Sequence, residues 1–270
     1  MSDEARTSSP LIRNLSWRDV QEVAKFPSSL AILPVGATEQ HGEHLPLGTD
    51  TIMVEAICER AAVGLSGVAV APAIPFGESH NHTAFPGTLT VALDTLKALV
   101  CDVGLSLFRS GFKVVFIVNG HGGNTQTLAA AALELRQRAA GVVASTMWTS
   151  MVENAWEGME SAIIWHADES ETSTMLSVAP ELVRMDRAVD EIPSPLPFFE
   201  FTEEALLNVK VDLGLPTTHA LTRSGSIGEP LLATAEKGEP VVEQTVRNLR
   251  RTIRELQEAF PALQKALIAE

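Results

Sequence analysis

The order of short valine- and isoleucine-rich runs narrows the fold of this 270-residue chain more than any other feature. "LAILPV" (30–35), "VAVAPAI" (68–74), "VVFIVN" (114–119) and "GVVAST" (141–146) are too short for buried helices and do not alternate polar with apolar residues. Runs of this kind suit strands covered on both faces. Between consecutive runs lie segments 51–65, 94–110 and 124–140, whose apolar residues recur at helical spacing. Alternating strand and helix predicts an α/β protein with a mostly parallel sheet and helices on both sides. Segment 168–178 reads as a further helix entered through an acidic first turn, and 240–260 as a charged amphipathic terminal helix. The proline-rich "EIPSPLPFFEF" (191–201) reads as an irregular crossing or a lid. Residues 1–10 are polar and are expected to form a disordered tail, and with no linker in view 11–270 is expected to be one domain.

A formal charge of −14 argues against a nucleic-acid or anionic-membrane partner. Cys58 and Cys101 each sit inside an apolar helical pattern with no C-x-x-C spacing, which favours a reducing compartment over a disulfide framework. The N-terminus lacks the apolar core of a signal sequence, and no run is long enough to span a bilayer. A cytoplasmic location is the expectation.

In open parallel sheets, ligands bind beyond the carboxyl ends of the strands. Polar clusters fall where those ends are predicted. In "GATEQHGEHLPLGTD" (36–50), Glu39 and His41 flank one residue and share a side of an extended strand end, and Asp50 follows once Pro46 and Gly48 turn the chain. Two carboxylates and an imidazole suit Zn²⁺, Mn²⁺ or Fe²⁺. The competing reading is a polar loop in which Thr49 or Asp50 caps the next helix. Glu43 and His44 look surplus to the ligand set. In "NGHGGN" (119–124), glycines let the chain turn so that His121 projects from the strand end, with Asn124 capping the helix beyond. "WHADESETS" (165–173) offers His166, Asp168, Glu169 and Glu171 around a helix start. Carboxylates there answer the helix dipole, but a histidine does not, and a neutral His166 would suit proton transfer. "SHNHTAFPGT" (79–88) adds Ser79, His80 and His82, with substrate-contact or structural roles as good a reading as ligation, and His219 reads as structural.

Taken together, "GATEQHGEHLPLGTD", "FPGT", "NGHGGN", "HADESETS" and "SGSIGEPLLATAEKGE" (224–239) make the chain resemble the creatininase (creatinine amidohydrolase) family, from about residue 11 to about 260. The resemblance implies a three-layer αβα enzyme with two divalent metal ions, often a homohexamer, that hydrolyses C–N bonds of cyclic amides, formamides or peptides. Zn²⁺ is the first expectation for both ions, with Mn²⁺ or Fe²⁺ as alternatives. Carried onto this chain, Glu39, Asp50 and His121 would hold one ion. His41, the shared Asp50 and a downstream carboxylate would hold the other, with Glu171 favoured and Glu169 the rival. His166 matches the family's catalytic histidine, with Glu169 or Asp168 orienting it or holding the attacking water. Ser79, His82, Trp148 and Trp165 are the expected substrate contacts. Creatininases carry a Tyr-Glu pair where this chain has Gly122 and Gly123, and a flap tryptophan where it has Ala162. The expected reaction is hydrolysis of a creatinine-like cyclic amide. Formamide deformylation, peptide cleavage and metal or small-molecule binding without turnover are the competing readings.

Overall fold

Residues 9–139, 141–161, 163–193 and 217–268 are described by the computed structural model of the chain. Among these residues four strands, β1 (Leu30–Val35), β2 (Val68–Val70), β3 (Val114–Asn119) and β4 (Val142–Met147), form a parallel sheet in the order β2-β1-β3-β4. Leu30 pairs with Val68 on one side and Val114 on the other, and Val114 pairs with Val142, so the strands start level.

Among the described residues the α-helices are α1 (Trp17–Ala24), α2 (Thr49–Ala62), α3 (Leu93–Arg109), α4 (Thr125–Arg138), α5 (Glu169–Val178), α6 (Thr218–Leu221) and α7 (Ala235–Ile268). Strand side chains divide by parity, as a pleated strand requires. Leu30, Ile32, Phe116 and Val118 enter one buried cluster with Met53, Val54 and Ile57 of α2, Met175 of α5 and Val241 and Leu249 of α7. Ala31, Leu33, Val115 and Ile117 enter the other with Leu96 and Val100 of α3 and Leu128 and Leu135 of α4. Three layers result, as the patterning predicted. Among the described residues, no helix is long and apolar enough to cross a membrane.

Boundaries differ from the sequence reading at the second strand and the terminal helix. The second strand stops at Val70 instead of Ile74, because the register slips by one residue across Ala71–Ala73: the pairing of Ile32 with Val70 would set Val35 against Ala73, but Val35 meets Ile74, which returns only as an isolated bridge. The terminal helix starts at Ala235, before Pro240, where Thr234 Oγ1 accepts the Lys237 N–H. Its sixth residue, Pro240, lies near enough to the helix start for little of the ladder to be lost. Helix α1 follows a capping box in which Ser16 and Asp19 exchange side-chain and backbone hydrogen bonds. Gly238 lets α7 lie against α5, since a Cβ there would overlap the Ser173 carbonyl. Residues 1–8 of the expected tail and 194–201 of the proline-rich segment lie outside the described residues, as does Ala162.

Candidate metal centre

The loop after β1 is closed by the Glu39 N–H donating to the Leu47 carbonyl, 2.9 Å away. Thr49 then turns back on Pro46 through both its N–H and its hydroxyl, which starts α2 with Gly48 as N-cap. Neither Thr49 nor Asp50 caps the helix with its side chain. Asp50 instead lies in the first turn, at the positive end of the helix dipole, with its carboxylate facing the strand ends.

His121 lies just past β3. Gly120 and Gly123 are required for space, Gly122 is not, and none of the three has a positive φ. A Cβ on Gly120 would press on the Asp50 carbonyl, and one on Gly123 would overlap the Glu78 carbonyl and the His121 ring. The expected sharp turn is therefore a tight approach of three loops. Asn124 does not cap α4 with its side chain. Its Oδ1 accepts from Glu78 N–H at 2.9 Å and its Nδ2 donates to the Gly36 carbonyl at 3.0 Å, tying the loops after β1, β2 and β3 together.

Two groups of potential ligands converge: Glu39, Asp50 and His121, and His41, Asp50 and Glu171. Asp50 belongs to both. Its Oδ1 is 3.2 Å from His41 Nε2 and its Oδ2 is 3.3 Å from His121 Nδ1. Glu39 Oε2 is 3.3 Å from His121 Nε2, and Glu171 Oε2 is 3.7 Å from His41 Nε2. These are the two triads that the resemblance implied. Each imidazole is also anchored behind: His41 Nδ1 lies 3.2 Å from the Glu39 carbonyl and His121 Nε2 lies 2.7 Å from the Glu78 carbonyl. When each ring is neutral, as ligation requires, donation to those carbonyls fixes the tautomer and leaves His41 Nε2 and His121 Nδ1 bare, the arrangement usual for ligating histidines.

The donor set fits divalent cations on a second count. Both oxygens of Glu39 and Oδ2 of Asp50 are buried without a hydrogen-bond donor. Unpaired buried carboxylate oxygens are costly unless a cation meets them. In the chain alone, protons take that part. Burial disfavours charge on His41, but Asp50, Glu171 and Glu39 outweigh it and push its pKa up to about 10. Burial opposes charge on His121 too, and Glu39 and Asp50 again carry it to about 10. Desolvation raises Glu171 to about 8 and also raises Glu39. Asp50 is held well below the usual carboxylate range, since His41 and His121 overcome its desolvation.

His166 stands at the edge of this group, its Nδ1 3.9 Å from Glu39 Oε1. It forms a third potential ligand group with Glu39 and His41. An antiparallel bridge to Ile227 pins its backbone, and Ala167 follows at φ 48°. His82 Nε2 lies 3.7 Å from the same Glu39 oxygen, and its ring is tilted against that of His166 with centroids 4.4 Å apart. Burial, together with the neighbouring His41, lowers His82 to about 3 and holds His166 well below the usual imidazole value. Both are neutral bases at pH 7. Ser79 directs its buried hydroxyl toward Glu39 without closing a hydrogen bond.

Other expected residues lie elsewhere. Glu169 does not join the centre as ligand or water holder: one oxygen accepts from the Glu160 and Ser161 N–H groups and the other pairs with Lys237. Asp168 caps α5, accepting from Ser170 and Glu171 N–H with one oxygen and from Trp165 N–H with the other. Trp148 is buried in the core with its indole edge-on to Trp156. Trp165 is half-buried beside His166, bound through its backbone to Asp168. Glu43 and His80 are exposed, and His44 is buried with Nε2 2.8 Å from Thr172 Oγ1. Phe85 meets His219 edge-on. Sequence reasoning missed Gln40, because alternation along an extended strand end would turn it away from Glu39 and His41. Strand β1 ends at Val35, so that alternation does not apply.

The family model described as "Creatininase: Creatinine amidohydrolase" matches residues 13–253. The chain is 33% identical over 235 residues to the mycofactocin precursor peptide peptidase of Mycolicibacterium smegmatis, covering 84% of this chain and 85% of that one. It is 30% identical over 268 residues to the creatinine amidohydrolase of Pseudomonas putida, covering 92% and 98%. A solved structure described as "Creatininase Mn" superposes with a TM-score of 0.77 at 28% identity, covering 92% of this chain and 98% of that one.

Proposed function

The chain belongs to the creatininase family, whose members are hydrolases, and from that premise we propose that it is a metal-dependent amidohydrolase acting on the C–N bond of a cyclic amide. The observation that carries this reading is the pair of triads sharing Asp50, buried except for the half-buried Glu171, with Glu39 oxygens and an Asp50 oxygen that lack a hydrogen-bond donor. Glu39, Asp50 and His121 would hold one divalent ion, and His41, Asp50 and Glu171 the other. Mixed nitrogen and oxygen donors favour Zn²⁺, with Mn²⁺ or Fe²⁺ as the alternatives. Such ions, when bound, acidify water toward a pKa of ~7 and offset charge developing on the substrate oxygen.

The remaining chemistry falls to the chain. His166, neutral and buried, accepts a proton from the attacking water at the ring nitrogen facing Glu39 and passes it to the leaving nitrogen. His82 faces the same oxygen and borders the substrate. The strained Ala167 and the bridge to Ile227 hold His166 in place, so no loop movement is needed to bring it up. The working form in this reading is a cytoplasmic homohexamer, as the family resemblance implies, that takes a small molecule and neither nucleic acid nor membrane.

A peptide amide is the second reading. It is favoured by the peptidase named among the relatives and by the open space beside Gly122, where a Cβ would meet no atom within 4 Å. Hydrolysis of a panel of lactams, formamides and peptides, before and after chelation, tests both. Chelator-sensitive lactam cleavage is the expected result. Peptide cleavage alone would replace the first reading with the second, and ligand stabilisation without product would sink both.

A further inference from the structure

Gln40 is 3% exposed and carries no charge, yet its amide touches both neutral imidazoles of the site. Its Oε1 accepts from the Gly42 N–H at 3.0 Å, and its Nε2 donates to the Gly225 carbonyl at 3.1 Å. Turning the amide over would set oxygen against oxygen and nitrogen against nitrogen, so those two bonds fix its orientation. Nε2 has two hydrogens. Gly225 takes one. The other meets His82 Nδ1, at 2.7 Å the shortest contact the amide makes. His82 Nδ1 must therefore be bare, and its proton lies on Nε2, which faces Glu39 Oε1.

The backbone of the same residue settles the second ring. His166 Nε2 is 2.9 Å from the Gln40 carbonyl, which can only accept. Gln40 Nε2, 2.9 Å from the same ring nitrogen, has both hydrogens engaged by Gly225 and His82 and donates none to it, so the proton of His166 is on Nε2 as well. Because this ring is turned the other way, it is the bare Nδ1 that faces Glu39 Oε1. We propose that Gln40 is a positioning residue that locks His82 and His166 as Nε2–H tautomers in opposed orientations, so that one N–H donor and one lone pair face the same point beside Glu39. His166 is then ready to accept a proton, and His82 to donate a hydrogen bond to a substrate oxygen. That division of labour rests on the hydrolase reading, whereas the tautomers themselves do not.

The test is long-range ¹H–¹⁵N correlation of protein carrying ¹⁵N-labelled histidine, recorded with and without zinc, with signals assigned through His82→Gln and His166→Gln. Both rings of the parent protein should carry the proton on Nε2. In Gln40→Glu a carboxylate oxygen replaces the donor, so His82 should move its proton to Nδ1 while His166, held by the backbone, does not change. Gln40→Met removes the donor without adding charge and covers the case in which Gln40→Glu does not fold. There His82 should become a mixture of tautomers, since the Thr218 hydroxyl, 3.1 Å from Nδ1, can donate or accept. In Gln40→Met, kcat should fall with zinc content and KM held. A proton on Nδ1 of either ring in the parent protein, or a His82 signal unmoved in the variants, overturns the proposal. A protein that takes up no zinc and cleaves no amide sinks the hydrolase reading instead, and leaves the tautomer result to stand or fall alone.

Discussion

Glu169 and Lys237 offer the sharpest test of how structure and chemistry divide among the acidic residues near His166. The Glu169 side chain is fully buried, and Lys237 Nζ reaches it while also donating to Glu160 and the Leu232 carbonyl. Two backbone N–H groups, from Glu160 and Ser161, complete the shell, so the pair fastens the segment leading to His166 onto α5 and α7. Removing one partner of a buried pair costs roughly 3–5 kcal/mol. The two N–H groups remain in Lys237→Met and the ammonium lies close to the surface, so about 2–3 kcal/mol is the expected loss. Glu169→Gln should cost about as much, because its amide N–H₂ would oppose the ammonium. At ~2–4 °C per kcal/mol for a chain of this size, each variant should melt about 5–10 °C lower. The double variant should recover about 2 kcal/mol relative to the sum of the singles. Calorimetry of the four proteins supplies the cycle, with metal content and turnover measured well below the lowest melting temperature. A coupling energy near zero would refute the structural account. So would a Glu169→Gln protein that keeps its stability but loses turnover, since that would return Glu169 to the chemistry.

His166→Ala should lower turnover by ~10²–10⁴-fold while both ions are retained, and full activity would end its role as proton carrier. Loading cations onto the metal-free chain at pH 7 should release about three protons, one each from His41, His121 and Glu171, whose pKa values stand at about 10, 10 and 8, with Glu39, which burial also raises, adding to that number. Titration calorimetry in buffers of different ionisation enthalpy reads that number, and release of fewer than about one would contradict the assignment. The sign for stability follows. Raised histidine values stabilise the metal-free fold fully below about pH 6.5 and lose that contribution as pH rises through about 10, whereas cation affinity should strengthen over the same range. Asn124→Ala should destabilise by about 1–3 kcal/mol and weaken metal retention, because it leaves the Gly36 carbonyl and Glu78 N–H unpaired between three site loops.

The layers of the fold were legible because valine-rich runs and helical periods do not overlap in this chain. The convergence of Glu39, Asp50 and His121, and of His41, Asp50 and Glu171, was legible through motif and resemblance, since spacing alone left Asp50 as either cap or ligand. What escaped was set by contacts distant in sequence. Glu169 sits in the same helix turn as Glu171, and its partners, the Glu160 and Ser161 N–H groups and Lys237, 68 positions along, tell the two apart. Asn124 looked like a helix cap because its partners at Gly36 and Glu78 belong to other loops. Gln40 carried no signal of its own, for its importance lies in which nitrogens surround it.

The measurement closest to the central claim is elemental analysis of zinc-replete protein and of its Asp50→Ala and His121→Ala variants, paired with chelator-sensitive amide hydrolysis. Two ions per chain are expected in the parent protein, one after loss of His121, and fewer than one after loss of Asp50, which both triads share. Two ions retained in Asp50→Ala, or none in the parent protein, would contradict the shared-carboxylate centre on which the account rests.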